Sequence, residues 1–464
     1  MSMLIDTPGT LRPMLRLTMP VLAEQVLHLL VGFTDMWLTG NLLGNDAYVA
    51  AMALMIYALW LTANLFAFVS LGATAMTARF IGAGDQPLAN RVMNQSITTG
   101  VVWTAILMVT TLPLAHQFIS FMGLTGTAAT AAEQYLTIEL SVLPAIMIER
   151  VGIACLRGAG DTVSGLVVMG IVNVINMVVS YGLASGVGPF PQLGWQGIAL
   201  GTAIGHCCGA AIILALLIGG RAGYRLRLRA MWPDADLIRR LLRIGVPGGI
   251  DTLAISICHL IYLRVILHLG DMAAAAHGVA IQVEAIGFMP GGAFQIAAST
   301  MTGQYLGAGD LRRARHSVLI AGVFAAIVMT SAGVVFYLAA APMSAFILGS
   351  YQSNVLPLCV ELLHVIAFAM LPLSIMMVLI GALRGAGDTR WPLAITLFGF
   401  IAIRVPLAMY FVDNHFTIPL LGSTFTGLGL GVVGAWYAAI ADVTVRMLLL
   451  VWRFFHGGWQ RIEV

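Results

Sequence analysis

From Thr162 to Gly220, and again from His316 to Val360, the chain carries no Asp, Glu, Lys or Arg. At about 20 residues per crossing, each run holds two helices through a hydrocarbon layer about 30 Å thick. Backbone groups in lipid must pair within a helix or a closed barrel. These runs lack the period-2 alternation of a barrel strand, so helices are expected. The whole chain is 59% hydrophobic and 9% charged, with a mean hydropathy of +0.94. Soluble domains carry about 25% charged residues. An all-α integral membrane protein follows.

Twelve apolar segments fit, near 13–39, 47–80, 90–115, 127–156, 161–184, 194–218, 236–269, 272–305, 314–340, 355–383, 388–412 and 428–454. Arginine placement supports the count. Every basic side chain is Arg, and there is no Lys. That excludes Schiff-base lysine chemistry and a Walker-type phosphate loop. Connections 2–3, 4–5, 6–7, 8–9 and 10–11 carry Arg, and the six alternate connections carry none. The positive-inside rule then predicts both termini and the central linker in the cytoplasm of a multi-pass inner-membrane protein. The linker cluster (Arg221, Arg225, Arg227, Arg229, Arg239, Arg240, Arg243) reads as a loop meeting anionic lipid headgroups rather than nucleic acid. The first apolar segment is too long for a signal peptide and is read as a retained helix.

The chain is also duplicated. Leu-Arg-Gly-Ala-Gly-Asp-Thr occurs at 156–162 and at 383–389, an offset of 383 − 156 = 227. Pro20 matches Pro247 and Glu24 matches Asp251 at the same offset. Gly82-Ala83-Gly84-Asp85 matches Gly307-Ala308-Gly309-Asp310 at 225. Gly194 and Gly197 match Gly431 and Gly434 at 237, so the second half holds about ten extra residues around 413–427. Two pseudo-symmetric six-helix lobes are expected, 1–218 and 236–464, joined by a linker at 219–235. An even helix number gives both the same orientation.

The repeated motifs fall at helix–helix turns, where Gly supplies positive φ and Asp caps the next helix. Arg157 and Arg384 are placed to meet carbonyls of the preceding helix. The Gly429–Gly434 G-x-G-x-x-G follows no strand and carries no nucleotide-binding argument. Gly197, Gly201, Gly205 and Gly209 recur every fourth residue and predict a close helix contact. The five cysteines form no C-x-x-C pair and are expected as small core residues.

Intramembrane polar groups are where function is to be sought. Asp35 lies in the first segment, about one turn before the outer loop. It is either a buried carboxyl that takes up and releases a proton or a helix-end Asp reaching water. Pro20, fifteen residues earlier, permits a bend. Asn173 and Asn176 in the fifth segment and Thr202 in the sixth either share an ion with Asp35 or act as interhelical glue. The second-half position matching Asp35 falls at Ile261 or Tyr262, so the halves are not equivalent. Glu24 and Asp251 either line the inner cleft or pair with arginines of the turns. Glu139 and Glu284 are further buried acids that could line it. Arg264 and Arg404 lie inside helices, where an ion pair with Glu284 or Asp442 is one reading. No metal-ligand spacing is present.

With Pro20 and Asp35, the Leu43-Gly44 turn with Ala51 beyond it, Ala276-His277 opening the eighth segment and the doubled LRGAGDT, the chain resembles the multidrug and toxic compound extrusion (MATE) family. The resemblance spans nearly the whole chain. It implies a twelve-helix antiporter that expels organic, often cationic, amphipathic compounds in exchange for H⁺ or Na⁺. It further implies that Asp35 is the coupling acid, that Asn173 or Asn176 with Thr202 form the polar N-lobe site, and that Pro20 is the bending point. Positions where the sodium branch has C-lobe acids fall on Ile255 and Leu373, which favours the branch of the DNA-damage-inducible membrane protein. That branch usually has Asp four residues after the Asn; here Asn173 is followed by Met177, which favours protons. No metal is expected, apart from Na⁺ at Asp35 if sodium is the coupling ion. No cofactor, no nucleic acid and a monomer in contact with membrane lipids are expected. A flippase for lipid-linked sugars or lipids, of the same superfamily, is the alternative and would need a basic cleft. Without a nucleophile elbow, metal cluster or carboxylate pair, an enzyme is not expected.

Overall fold

The computed structural model describes residues 9–349, 354–418 and 423–462. The first half comprises α1 (Leu11–Leu38), α2 (Asp46–Leu65), α3 (Ala67–Gly82), α4 (Gln86–Thr111), α5 (Ala115–Phe121), α6 (Gly126–Ser141), α7 (Leu143–Gly158), α8 (Val163–Ser185) and α9 (Trp195–Ile218). The second comprises α10 (Ala235–Leu267), α11 (Asp271–Gly307), α12 (Leu311–Leu338), α13 (Ala340–Leu348), α14 (Leu356–Gly385), α15 (Arg390–Phe398), α16 (Val405–Val412) and α17 (Gly431–His456). Ten helices among the described residues are long and apolar enough to cross a membrane. α3, α6, α7 and α17 complete the twelve segments, and α5 and α13 are short helices in connections read from the sequence as loops. The 47–80 segment divides into α2 and α3 at Phe66, and the 127–156 segment into α6 and α7 at Val142. Pro144 explains the second break, because a residue with no N–H restarts a helix in its first turn. Nothing local explains the first. The eleventh segment is α15 and α16 joined by a wide π turn, Gly399–Arg404. Pro20 lies inside an α1 that runs unbroken.

One short strand pair accompanies the helices of this all-α fold. β1 (His415–Ile418) pairs antiparallel with β2 (Ser423–Thr426), His415 opposite Thr426. They account for the extra residues of the second half.

The repeated turns are copies in three dimensions. Gly84, Gly309, Gly160 and Gly387 have φ of 74°, 75°, 88° and 86°. In each turn the following Asp N–H reaches back to a carbonyl five residues earlier: Asp85 to Phe80, Asp310 to Tyr305, Asp161 to Leu156, Asp388 to Leu383, at 2.8–3.0 Å. That closes the helix end as a glycine C-cap does. The arginines do not meet the preceding carbonyls. Arg157 pairs with Glu24 at 2.7 Å and Arg384 with Asp251 at 2.6 Å. Matched acids thus meet matched arginines.

Two hydrophobic cores form, one in each half, with an exchange at the border. Leu237, Leu241 and Ile244 of α10 pack in the first core, whereas Tyr262 and Ile266 pack in the second. Met14 and Leu17 of α1 pack in the second core. Close contact between halves occurs at the arginine-bearing ends. Gly82 meets the Gln304 backbone, and Gly307 meets the Arg79 backbone. Each partner lies three residues before the other glycine, a pseudo-twofold contact. Thr300 Oγ1 donates to Arg157 O at 3.2 Å and Gln304 Nε2 to Gly158 O at 2.8 Å.

The linker is strapped to α4. Asn94 accepts from Arg227 N–H at 2.9 Å and donates to Arg225 O at 3.2 Å. Gln95 donates to Ala230 O and Trp232 O, both at 2.8 Å, and accepts from Asp234 N–H at 3.0 Å. These amides satisfy backbone groups that have no helix or strand partner.

Candidate functional site

Asp35 is fully buried, near the arginine-free end of α1. Three side chains donate to it from three other helices. Thr202 Oγ1 of α9 and Tyr135 Oη of α6 each reach Oδ2 at 2.7 Å. Asn176 Nδ2 of α8 reaches Oδ1 at 3.2 Å. The Asn176 amide also donates to Thr202 Oγ1 at 2.9 Å and approaches Ser180 Oγ at 3.3 Å. The close α8–α9 contact that allows this comes from the glycine stripe: Gly197 lies against the Leu183 backbone and Gly201 against Ser180. Trp195 backs Tyr135, with ring centroids 5.5 Å apart, and is held by its indole N–H on Ala131 O at 2.8 Å.

Three donors suit an ionised carboxylate, because each hydrogen bond to a charged acceptor is stronger than a neutral one. The same site can accommodate a proton. Asn176 Oδ1 is buried with no donor, and rotation of that amide would offer it to a protonated Asp35.

Of the residues singled out in the sequence, Asp35, Asn176 and Thr202 come together. Asn173 does not join them; its amide donates to Leu27 O at 3.0 Å and Met169 O at 2.8 Å, which is the interhelical-glue reading. Glu24 and Asp251 are buried ion-pair partners of the turn arginines, not open cleft residues. Glu139 is buried with neither carboxylate oxygen hydrogen-bonded. Tyr135, Ser180 and the pair His206–Glu149 (3.0 Å) were not legible as site residues. The one signal for them is periodic: Tyr135 and Glu139, like Thr202 and His206, are four residues apart on one helix face.

The second half has a different chemistry at the matching depth. Arg446 pairs with Asp442 at 2.8 Å, and Arg404, in the π turn, stands 3.9 Å from the same carboxylate. The Arg404 guanidinium lies over the Tyr262 ring at 4.7 Å. Glu284 is within electrostatic range of Arg404 without an ion pair at contact distance, and Arg264 is exposed. No group of three metal-ligating side chains is found among the described residues.

The MatE family model matches residues 20–182 and 247–410, one copy in each half. A probable multidrug resistance protein NorM of Thermotoga maritima is 29% identical, over 99% of this chain and 95% of its own length. The probable multidrug resistance protein YoeA of Bacillus subtilis is 24% identical over 98% of this chain and 96% of its own. Among solved structures, an outward-facing conformation of a multidrug resistance MATE family transporter superposes with a TM-score of 0.87, at 21% identity, covering 97% of both chains. A crystal structure of a MATE protein in the bent conformation gives 0.85 at 21% identity, covering 97% of this chain and 96% of the other. With both halves matched, the duplicated twelve-segment chain belongs to the MatE family and is a transporter, not an enzyme.

Proposed function

We propose that the protein exports amphipathic organic compounds, chiefly cations, in exchange for protons by alternating access of its two lobes. The observation that carries this reading is Asp35: a buried carboxylate held by Thr202, Tyr135 and Asn176, present in one half only. The printed names of the relatives, multidrug resistance proteins, support the substrate class. Protons are favoured over sodium by the ligands. Hard cations need several oxygen lone pairs, whereas Asp35 is met by O–H and N–H donors and Met177 stands where a second carboxylate would. The packed Gly82 and Gly307 ends support a state closed on the arginine-bearing side, which the positive-inside rule makes cytoplasmic in the inner membrane.

A lipid or lipid-linked sugar flippase draws support from Arg404 and Arg446. Their shared Asp442 offsets one of the two charges, which weakens that reading.

The test uses inverted membrane vesicles loaded by an imposed pH gradient, with rhodamine 6G as the transported probe and a sodium gradient as the second arm. Wild type moves dye on ΔpH alone. Asp35→Asn inserts normally and moves none. Wild-type rates in that variant, or dye movement on the sodium gradient alone, would reject proton coupling through Asp35.

A further inference from the structure

Glu139 is the least explained group in the protein. It is 2% exposed, and neither oxygen has a hydrogen-bond partner. A buried, unpartnered carboxylate costs several kcal/mol in general, so a purely structural role predicts an ion pair that is not there. Its position is informative. α6 and α9 both run from the arginine-free to the arginine-bearing side. On them, Tyr135 and Thr202 form one layer around Asp35, with Tyr135 Oη 3.4 Å from Thr202 Oγ1. Glu139 and His206 lie four residues further along the same two faces, about 6 Å inward. His206 and Asp35 are the charged groups within electrostatic range of Glu139.

The line of ionisable groups continues inward. His206 Nδ1 meets Glu149 Oε2 of α7 at 3.0 Å, both nearly inaccessible to solvent. His28 of α1 is within electrostatic range of Glu149. His28 Nε2 is 3.4 Å from Arg150 Nη1 and 3.8 Å from Glu24 Oε1. Glu24 meets Arg157 at the turn, where the arginine side chain is 18% exposed. Glu24, His28 and Asp35 share one face of α1, since eleven residues make nearly three whole turns. α8 adds only the amides Asn173 and Asn176, and the exposed Cys207 of α9 is within electrostatic range of Glu139.

We infer that Glu139 and the His206–Glu149 pair form a proton wire inside the first lobe. It connects Asp35 with the Arg157 turn, so that the coupling proton leaves through the lobe rather than back through the cleft. Each transfer moves one proton from a carboxyl or imidazolium to the next base inward, and nothing else is consumed. The inference rests on the proton-coupled reading above.

The test reconstitutes wild type, Glu139→Gln, Glu139→Asp, His206→Gln and the Glu139→Gln/His206→Gln double variant in liposomes. Rhodamine 6G affinity is read by fluorescence polarisation. The ΔpH-driven transport rate is read in H₂O and in D₂O. Glu139→Gln should bind dye within about twofold of wild type and transport it about tenfold or more slowly, the range of a lost proton-transfer group. Glu139→Asp should recover part of the rate with a larger D₂O effect. The double variant should be no slower than the slower single, because both groups serve one path. A wild-type rate in Glu139→Gln, no recovery in Glu139→Asp, or multiplicative losses in the double variant would overturn the wire. If Glu139→Gln fails to insert, His206→Gln decides, and a wild-type rate there rejects it. Loss of ΔpH-driven transport in the wild type itself would reject the coupling reading instead, so the two failures are distinct.

Discussion

The contacts of Gly82 with the Gln304 backbone and of Gly307 with the Arg79 backbone set the energy of the closed arginine-bearing side, and a single methyl group should open it. A Cβ on Gly82 would lie 2.7 Å from both the carbonyl carbon and the Cα of Gln304. Carbon atoms pack at about 3.5–4.0 Å, so Gly82→Ala must push the ends of α3 and α11 apart by about 1 Å. Overpacking of this kind costs about 1–3 kcal/mol. Because the clash exists only while the ends touch, that cost falls on the closed state. At about 1.4 kcal/mol per tenfold, the population with parted ends should rise about five- to 140-fold. Thr300, buried beside Arg157, reports on it. In a background lacking the five native cysteines, Thr300→Cys should react with a membrane-impermeant maleimide faster by that factor when Gly82→Ala is present. Gly307→Ala should act alike, and the pair together should add little, since one separation relieves both methyls. Gly84→Ala is the control: it strains a φ of +74° but meets nothing within 4 Å. Unchanged labelling in folded Gly82→Ala, or equal labelling in Gly84→Ala, would refute the reasoning.

The matched ion pairs should be worth more broken than deleted. Arg384→Ala strands buried Asp251 and should cost about 3–5 kcal/mol, whereas Arg384→Ala with Asp251→Ala recovers much of it; thermal unfolding in detergent reads the cycle, and equal losses would exclude a buried pair. The linker strap should protect the four trypsin sites of the linker, Arg221, Arg225, Arg227 and Arg229, so Asn94→Ala/Gln95→Ala should be cut between Arg221 and Arg229 about tenfold faster or more, given about 1–3 kcal/mol for each stranded backbone partner. Asp161, in the first repeated turn, is pushed up by burial but held lower still by the Arg221 and Ser164 hydrogen bonds, so its net displacement is below the usual carboxylate value. Its contribution is therefore complete above about pH 4 and lost as pH falls through the lower folded value; the stability gap between wild type and Asp161→Asn should close over that acid range, and a gap independent of pH would count against it. Arg221 is 46% exposed, so the gap should be small.

Much of the architecture was legible because lipid leaves few choices. Charge-free runs, alternating arginines and the doubled turns each point to one helix map, and the turns recur with φ values within a few degrees. The breaks at Phe66 and Val142 were not legible, since an apolar run looks the same whether a helix continues or restarts. Asp35 stood out as an intramembrane acid with no counterpart at the matching position of the second half. Its partners were harder to see, because Asn173 and Asn176 are the same residue type less than one turn apart; which one reaches Asp35 depends on the depth at which α8 lies against α1. Tyr135, Glu139, Glu149 and His206 sit on three helices, and their convergence exists only after packing. The arginine-to-acid pairing across the repeats was the feature most open to a better reading: Glu24 and Arg157 match Asp251 and Arg384 at one offset, which already implied a paired contact.

The exchange of helix ends between the cores bears on how such a chain can be taken apart. Leu237, Leu241 and Ile244 fill the first core although they follow the linker, and Met14 and Leu17 fill the second although they begin the chain. A gene split at the duplication boundary would therefore give two fragments, each with a notch shaped for the other's leading helix. The duplicated units are interlocked, not merely adjacent. Independent folding of either half would demand new side chains at those positions, whereas co-expressed fragments should find each other through them.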